Sequence, residues 1–345
     1  MAQEVKVRQF FLIPPRFGVL ALYLSPLRPL LYLFASISKK FDLSLKFGVI
    51  SVISLCIFTL VYSSPALAKI KPQRIISMSP AITEILFAIG AGNRIVGVTK
   101  FCNYPEAVKL LPRIGGPLNP SSEQIIKLNP DLLVYHHDSY KMSRFGKQLG
   151  VRAVSVSFDN LKDIYHSINI VGRATGNLDG SESLISKLKN QVASYRKHLR
   201  NLKPKTTLLI LSDSQNPMRD LYAAGEGTFL DELLTIAGGN NIVQNSLILY
   251  PKISREYIIA QSPEVILVAG PSANLTEKQL ILNKKKWERL SSVRAVKDNR
   301  VHYIGADYIL IPGPRLIQIV DQFTKALHPK AVSQKPKVFR IPEKP

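Results

Sequence analysis

Cysteine, tryptophan and acidic side chains are scarce in this chain: two, one and 24 among 345 residues. Cys56 lies inside an apolar stretch near the N-terminus. Once that stretch is removed Cys102 stands alone, so a disulfide-stapled fold is excluded and a packed core must hold the chain. Histidine is thin too. His136-His137 is the one adjacent pair, and neighbouring side chains diverge too far to chelate an ion by themselves. No His/Cys/Asp/Glu spacing completes a tetrahedral metal site. No G-x-S-x-G elbow, H-E-x-x-H or paired-carboxylate signature is present, and Cys102 has no histidine-based nucleophile pattern around it. The expectation is a protein that is not an enzyme, binds no metal directly and carries no cofactor of its own. A secreted enzyme on a similar frame is the alternative from another class.

The shortage of acid leaves a formal charge of +22, and residues 69–345 keep 39 basic against 22 acidic side chains, a net of +17. These charges are spread without a basic block, and no zinc-finger or RNA-recognition signature accompanies them, so nucleic acid is not expected as a partner. With 46% hydrophobic and 20% charged residues the composition is that of a globular chain, long enough for two or three domains.

The longest apolar run, residues 47–61, is 15 residues, short of the roughly 17–25 that span a bilayer. Lys46 precedes it and Ala66-Leu67-Ala68 follows, the order of a secretory signal peptide with cleavage after Ala68 and an exported product. The alternative is an uncleaved anchor holding a ligand-sensing module. Residues 1–44 are broken by Pro14, Pro15, Pro26 and Pro29. They are expected to precede the translated chain, with Leu45 read from a leucine-type start codon.

From Lys69 onward the pattern alternates. Strands are expected at Arg74–Met78, Ile95–Val98, Leu132–Tyr135 and Val151–Val156, with helices at Ala81–Ile89 behind Ser79-Pro80, Ser121–Leu128 and Phe145–Leu149. The second half repeats this grammar. Thr83-Glu84-Ile85-Leu86 corresponds to Asp231-Glu232-Leu233-Leu234, Ser121–Ile126 to Ser254–Ile259, and Pro130–Val134 to Pro263–Leu267. The fold class is therefore α/β, two Rossmann-like lobes with mainly parallel sheets. An N-terminal lobe is expected at 69–180 and a C-terminal lobe at 204–329. Between them, Leu184, Leu188, Val192, Tyr195 and Leu199 share one face of a helix over Ser181–Leu202, stopped by Pro204 and long enough to cross between lobes. Residues 330–345, rich in Lys and Pro, are expected to be disordered.

Gly90-Ala91-Gly92 ends a helix instead of opening one and lacks a third glycine at Ile95, so it is no dinucleotide fingerprint. Gly225-Glu226-Gly227-Thr228 does open a helix, as an anion cradle or as a turn with a threonine cap. Phe101, Tyr104, Tyr135, Tyr250 and Tyr308 lie at or beyond strand ends, where open parallel sheets bind ligands. Together they suit a cleft that stacks on a large planar ligand.

The stretch R-I-I-S-M-S-P-A-I-T-E-I-L-F-A-I-G-A-G (74–92), Asn103-Tyr104-Pro105, P-R-I-G-G-P-L-N-P (112–120), G-T-F-L-D-E-L-L (227–234), Trp287–Leu290 and Pro312-Gly313-Pro314-Arg315 follow one another in a specific order. In these the chain resembles the helical-backbone periplasmic binding proteins, the ABC-importer receptors for cobalamin, haem and ferric siderophores, nearest the cobalamin branch. The resemblance implies a ligand cleft between lobes joined by one rigid helix. It implies ligand contacts from Phe101, Tyr104, His136, Tyr250, Tyr308 and Arg315, and a corrinoid or similar metal-chelate as ligand. Haem or a ferric siderophore is the alternative. Pro117 and His136 stand where a cobalamin receptor carries tryptophan. It further implies a permease dimer with its ATPase as partner, docked through one exposed glutamate per lobe, Glu123 and Glu256, with the receptor itself a monomer.

Overall fold

Ser79 sits in extended backbone, and its hydroxyl accepts the amide of Ile82, with Pro80 in the first turn. That cap turns strand β1 (Ile75–Ser77) directly into helix α1 (Pro80–Ala88). This is the computed structural model of the chain. It describes residues 71–136, 140–212, 221–271 and 275–334, all within one compact unit, Ile70–Pro345. The expected signal peptide, its cleavage point and the 1–44 extension lie outside the described residues. Among the described residues no helix is long and apolar enough to cross a membrane.

The first half continues with β2 (Ile95–Val98), α2 (Ser122–Lys127), β3 (Leu132–His136), α3 (Tyr140–Leu149), β4 (Arg152–Val156) and α4 (Leu161–Thr175). Its four strands are all parallel, in the order β2-β1-β3-β4. Helix α5 (Leu178–Leu199) follows, then β5 (Lys205–Leu211), β6 (Tyr222–Ala223), α6 (Phe229–Ile236), β7 (Gly239–Asn241), α7 (Arg255–Gln261), β8 (Val265–Gly270), α8 (Glu277–Trp287), α9 (Arg294–Lys297), β9 (Val301–Gly305) and α10 (Leu316–Leu327). In the second sheet β7, β5, β8 and β9 are parallel neighbours, the order of the first sheet again. The short β6 adds an antiparallel edge to the far end of β5. The repeat seen in the sequence is thus a repeat of topology.

The linking helix starts and stops three residues earlier than its apolar face suggested. Gly176 takes the left-handed conformation (φ 70°) that ends α4, and α5 begins two residues later with Gly180 inside it. The expected helix begins just after Gly180, at Ser181. In the structure Gly180 is a point of close approach, where a Cβ would collide with the Ile89 carbonyl oxygen at the end of α1. Gly180→Ala is therefore expected to destabilise the protein by about 1–2 kcal/mol, overpacking outweighing the better helix propensity of alanine. Chemical denaturation would check this.

Helix α5 buries Leu184, Leu188, Val192, Tyr195 and Leu199, and one continuous core runs from the first sheet through α5 to α6 and α10. The Tyr195 hydroxyl donates to Asp321 of α10 at 3.1 Å. The lobes also touch directly. The Leu161 amide at the start of α4 donates to Glu232 of α6 at 2.6 Å, and the Phe229 amide donates to the Asp159 carbonyl at 2.6 Å. Disorder beginning at residue 330 is corrected: Pro329–Gln334 form a 3-10 turn, and the His198 ring of α5 bonds the Ala331 carbonyl at 2.9 Å. Residues 335–345 lie outside the described set.

Candidate functional site

The carboxyl ends of both sheets converge on one cavity of about 1340 Å³. From the first lobe come Met78 after β1, Tyr135 and His136 at the end of β3, and Phe158 and Asp159 after β4. From the second come Leu211 at the end of β5, Phe229 at the start of α6, Tyr250, and Leu310–Pro312 after β9. Pairing of β3 with β4 puts His136 beside Val156, two residues before Phe158. The His136 and Phe158 rings stack at 5.8 Å with 29° between planes. The walls are mostly apolar. Leu118 and Leu249, 86% and 41% exposed, line the cavity from opposite lobes and still face solvent.

Among the implied ligand contacts, His136 and Tyr250 are brought together in this cavity. Phe101, Tyr104, Tyr308 and Arg315 do not line it. Phe101 follows the edge strand β2 and is 53% exposed, with the Lys100 ammonium 5.1 Å over its ring. The reason for the other three is Arg315, which is 5% exposed. Its guanidinium donates to both carboxylate oxygens of Glu84 on α1, at 2.6 and 3.0 Å, and to Asp307 at 2.7 Å. Tyr104 and Tyr308 hold its flat faces at 4.1 and 5.1 Å. Three of its five N–H groups are engaged in these bonds and the side chain is buried outside the cavity lining, so the structure places Arg315 as a tie between the two lobes and not in the cleft. Gly313 makes the approach possible, since a Cβ there would press on Glu84 at 3.3 Å.

Burial, opposed by the Arg315 fork, pushes the Glu84 carboxyl up to about 7. Burial works against the charge of Arg315 as well, but Glu84 and Asp307 together raise its value. In the cavity, burial and then the nearby Asp159 carboxylate push the Tyr250 phenol up to about 12, so it presents a neutral ring. His137 lies outside the described residues. Among the described residues no group of three or more His, Cys, Asp or Glu side chains is disposed to hold a metal ion.

Gly225–Thr228 proves to be a turn with a cap. The Thr228 hydroxyl accepts the Asp231 amide at 3.1 Å, and Asp231 accepts the Gly227 amide at 3.1 Å, so that amide has no room for an anion. Glu123 and Glu256 are exposed and occupy the same slot, second residue of α2 and of α7, each behind a serine cap. Sequence reasoning missed Leu118, Met142, Phe158, Asp159 and Leu249. Phe158 and Asp159 follow the Val151–Val156 strand, and the strand-end rule applied to that strand finds them.

Two α/β lobes of the same strand order, one bridging helix and a cleft at the strand ends match the periplasmic binding protein family model over residues 75–308. The chain belongs to the periplasmic binding protein family. Among its relatives is an uncharacterised ABC transporter substrate-binding lipoprotein of Bacillus subtilis, 28% identical over 76% of this chain and 82% of that one. A vitamin B12-binding protein of Vibrio cholerae is 26% identical over 79% of this chain and 95% of that one. Among solved structures, the apo periplasmic haem-binding protein of Roseiflexus sp. RS-1 superposes with a TM-score of 0.62 at 27% identity, covering 75% of this chain and 99% of that one. Pro117 and His136, the two positions departing from the cobalamin-receptor pattern, both line the cleft of this family member.

Proposed function

We propose that this protein is the exported substrate receptor of an ABC importer, and that its cleft takes a corrinoid or similar large, flat metal-chelate and hands it to a permease dimer with its ATPase. The cleft carries this reading. Its roughly 1340 Å³ exceeds the 300–1,000 Å³ usual for small-molecule pockets, and its aromatic walls come from both lobes. The vitamin B12-binding relative supports the corrinoid. Haem is the second reading, favoured by His136 in the cleft and by the haem-binding structure. Against iron ligation by Tyr250 stands the cost of ionising a phenol held at about 12.

Titration of the purified protein with cyanocobalamin, haemin and ferrioxamine B tests the assignment. Trp287 is the sole tryptophan, buried behind β9 with its indole donating to Tyr303 at 2.8 Å, outside the cleft lining. Visible absorbance or calorimetry is therefore the suitable readout. Cyanocobalamin is expected to bind. Tyr250→Ala should weaken it several-fold to about tenfold, the loss of one stacking partner plus its buried area, with the melting temperature unchanged. No binding by any of the three chelates would overturn the receptor assignment.

A further inference from the structure

The charge of the whole chain and the charge of the described residues that line the cleft have opposite signs. Residues 69–345 carry a net of +17, yet the described residues lining the cavity include no lysine and no arginine. Their one formally charged side chain is Asp159. Three basic side chains of the lobes are engaged outside this lining. Arg315 is forked onto Glu84 and Asp307, Arg113 donates to the Thr99 and Cys102 carbonyls, and Lys100 lies over Phe101 outside the lining. Asp159 is fixed in place by its backbone, whose carbonyl accepts the Phe229 amide at 2.6 Å across the lobe boundary. The Ser157 hydroxyl donates to its carboxylate at 3.3 Å. Its influence on the Tyr250 phenol places its field at the aromatic wall.

We infer that the cleft selects its ligand by charge, with Asp159 as the specificity-determining residue: it accepts neutral or cationic chelates and rejects those bearing carboxylate or catecholate charge. An anion entering an apolar cleft gives up its hydration shell, finds no cation among the described lining residues to replace it, and meets Asp159. A corrin skirted by amides, or a cationic hydroxamate chelate, meets no such penalty. The surface positive charge steers association and says nothing about what the cleft retains.

This inference rests on the receptor reading above and deepens it. The test uses pairs sharing a skeleton: cyanocobalamin against its monocarboxylic acid, and haemin dimethyl ester against haemin. In each pair the uncharged member is expected to bind at least about tenfold more tightly at pH 7, by calorimetry. Asp159→Asn, with its backbone bond to Phe229 untouched, should narrow each ratio to about threefold or less at an unchanged melting temperature. Should that variant unfold, the ratios of the wild-type protein at low and high salt serve instead, and salt should narrow them. If cyanocobalamin binds but its acid binds equally well, or Asp159→Asn leaves the ratio where it was, charge selection is wrong and the receptor reading survives. If no member of either pair binds, charge selection falls, and the receptor reading falls with it when ferrioxamine B also fails to bind.

Discussion

Arg315→Ala is expected to lower the melting temperature by on the order of 10 °C. The substitution leaves Glu84, 1% exposed, as a buried carboxylate without the fork that both its oxygens now receive. Stranding one partner of a buried ion pair costs about 3–5 kcal/mol, and in a protein of this size each kcal/mol lowers the melting temperature by about 2–4 °C. The pH dependence has a definite sign. The folded-state value of Glu84, about 7, lies above the ordinary 4.5, so between these values the folded protein holds a proton that the unfolded chain releases. The contribution of this group to stability is greatest below 4.5 and is lost as pH rises towards 7. Glu84→Gln should remove that slope. The deficit of Arg315→Ala should be smaller at pH 5 than at pH 8, because a protonated Glu84 no longer needs the cation. Urea titrations at the two pH values decide both points, and an Arg315→Ala protein as stable as wild type at pH 8 would show that Arg315 does not tie the lobes.

Charge reversal at two exposed glutamates, Glu123→Lys with Glu256→Lys, should abolish uptake in a transport assay while leaving ligand affinity unchanged. Both side chains sit in the first turn of short helices at equivalent places of the repeat. A Glu in a first turn has a local use, interaction with the helix dipole worth about 0.3–1 kcal/mol. Burial does not explain them, and Glu256 is held below the usual carboxylate range, first by its own backbone amide and then by the Ser254 hydroxyl. A two-lobed receptor meeting a symmetric permease needs one anchor per lobe, and an arginine–carboxylate fork supplies register as well as attraction. Lysine at both positions replaces attraction by repulsion. Undiminished uptake by the double variant would leave the dipole as the whole role of these residues.

The two lobes are tied at several points besides the linking helix. Besides α5, hydrogen bonds among the described residues cross between the lobes at Glu84 with Arg315, Leu161 with Glu232, and Asp159 with Phe229. Asp159 and Phe229 both line the cavity and carry one of these links. Opening of the kind that separates two lobes about a flexible strand connection would break all three.

Much of this architecture was written in local pattern. Alternation of apolar runs with capped helices, Ser79, Ser121, Thr228 and Ser254 among the caps, specifies the α/β class. The spaced repeat of those segments specifies two lobes, because capping and periodicity act over a few residues and survive without tertiary context. The strand-end rule likewise pointed to Tyr135 and Tyr250, since a parallel sheet delivers its carboxyl ends to one edge wherever it is placed, whereas His136 came from the family resemblance. What the sequence alone left undecided is which strand-end residues turn inward. Arg315 and Glu84 are 231 positions apart, and nothing local announces that they meet; once they do, the fork gathers Tyr104 and Tyr308 around the guanidinium and away from the cleft. The sign of the cleft was hidden for the same reason. Net charge is a sum over the whole chain, whereas the field a ligand feels depends on which few side chains the tertiary fold places within reach, and here the described lining holds one carboxylate and no cation.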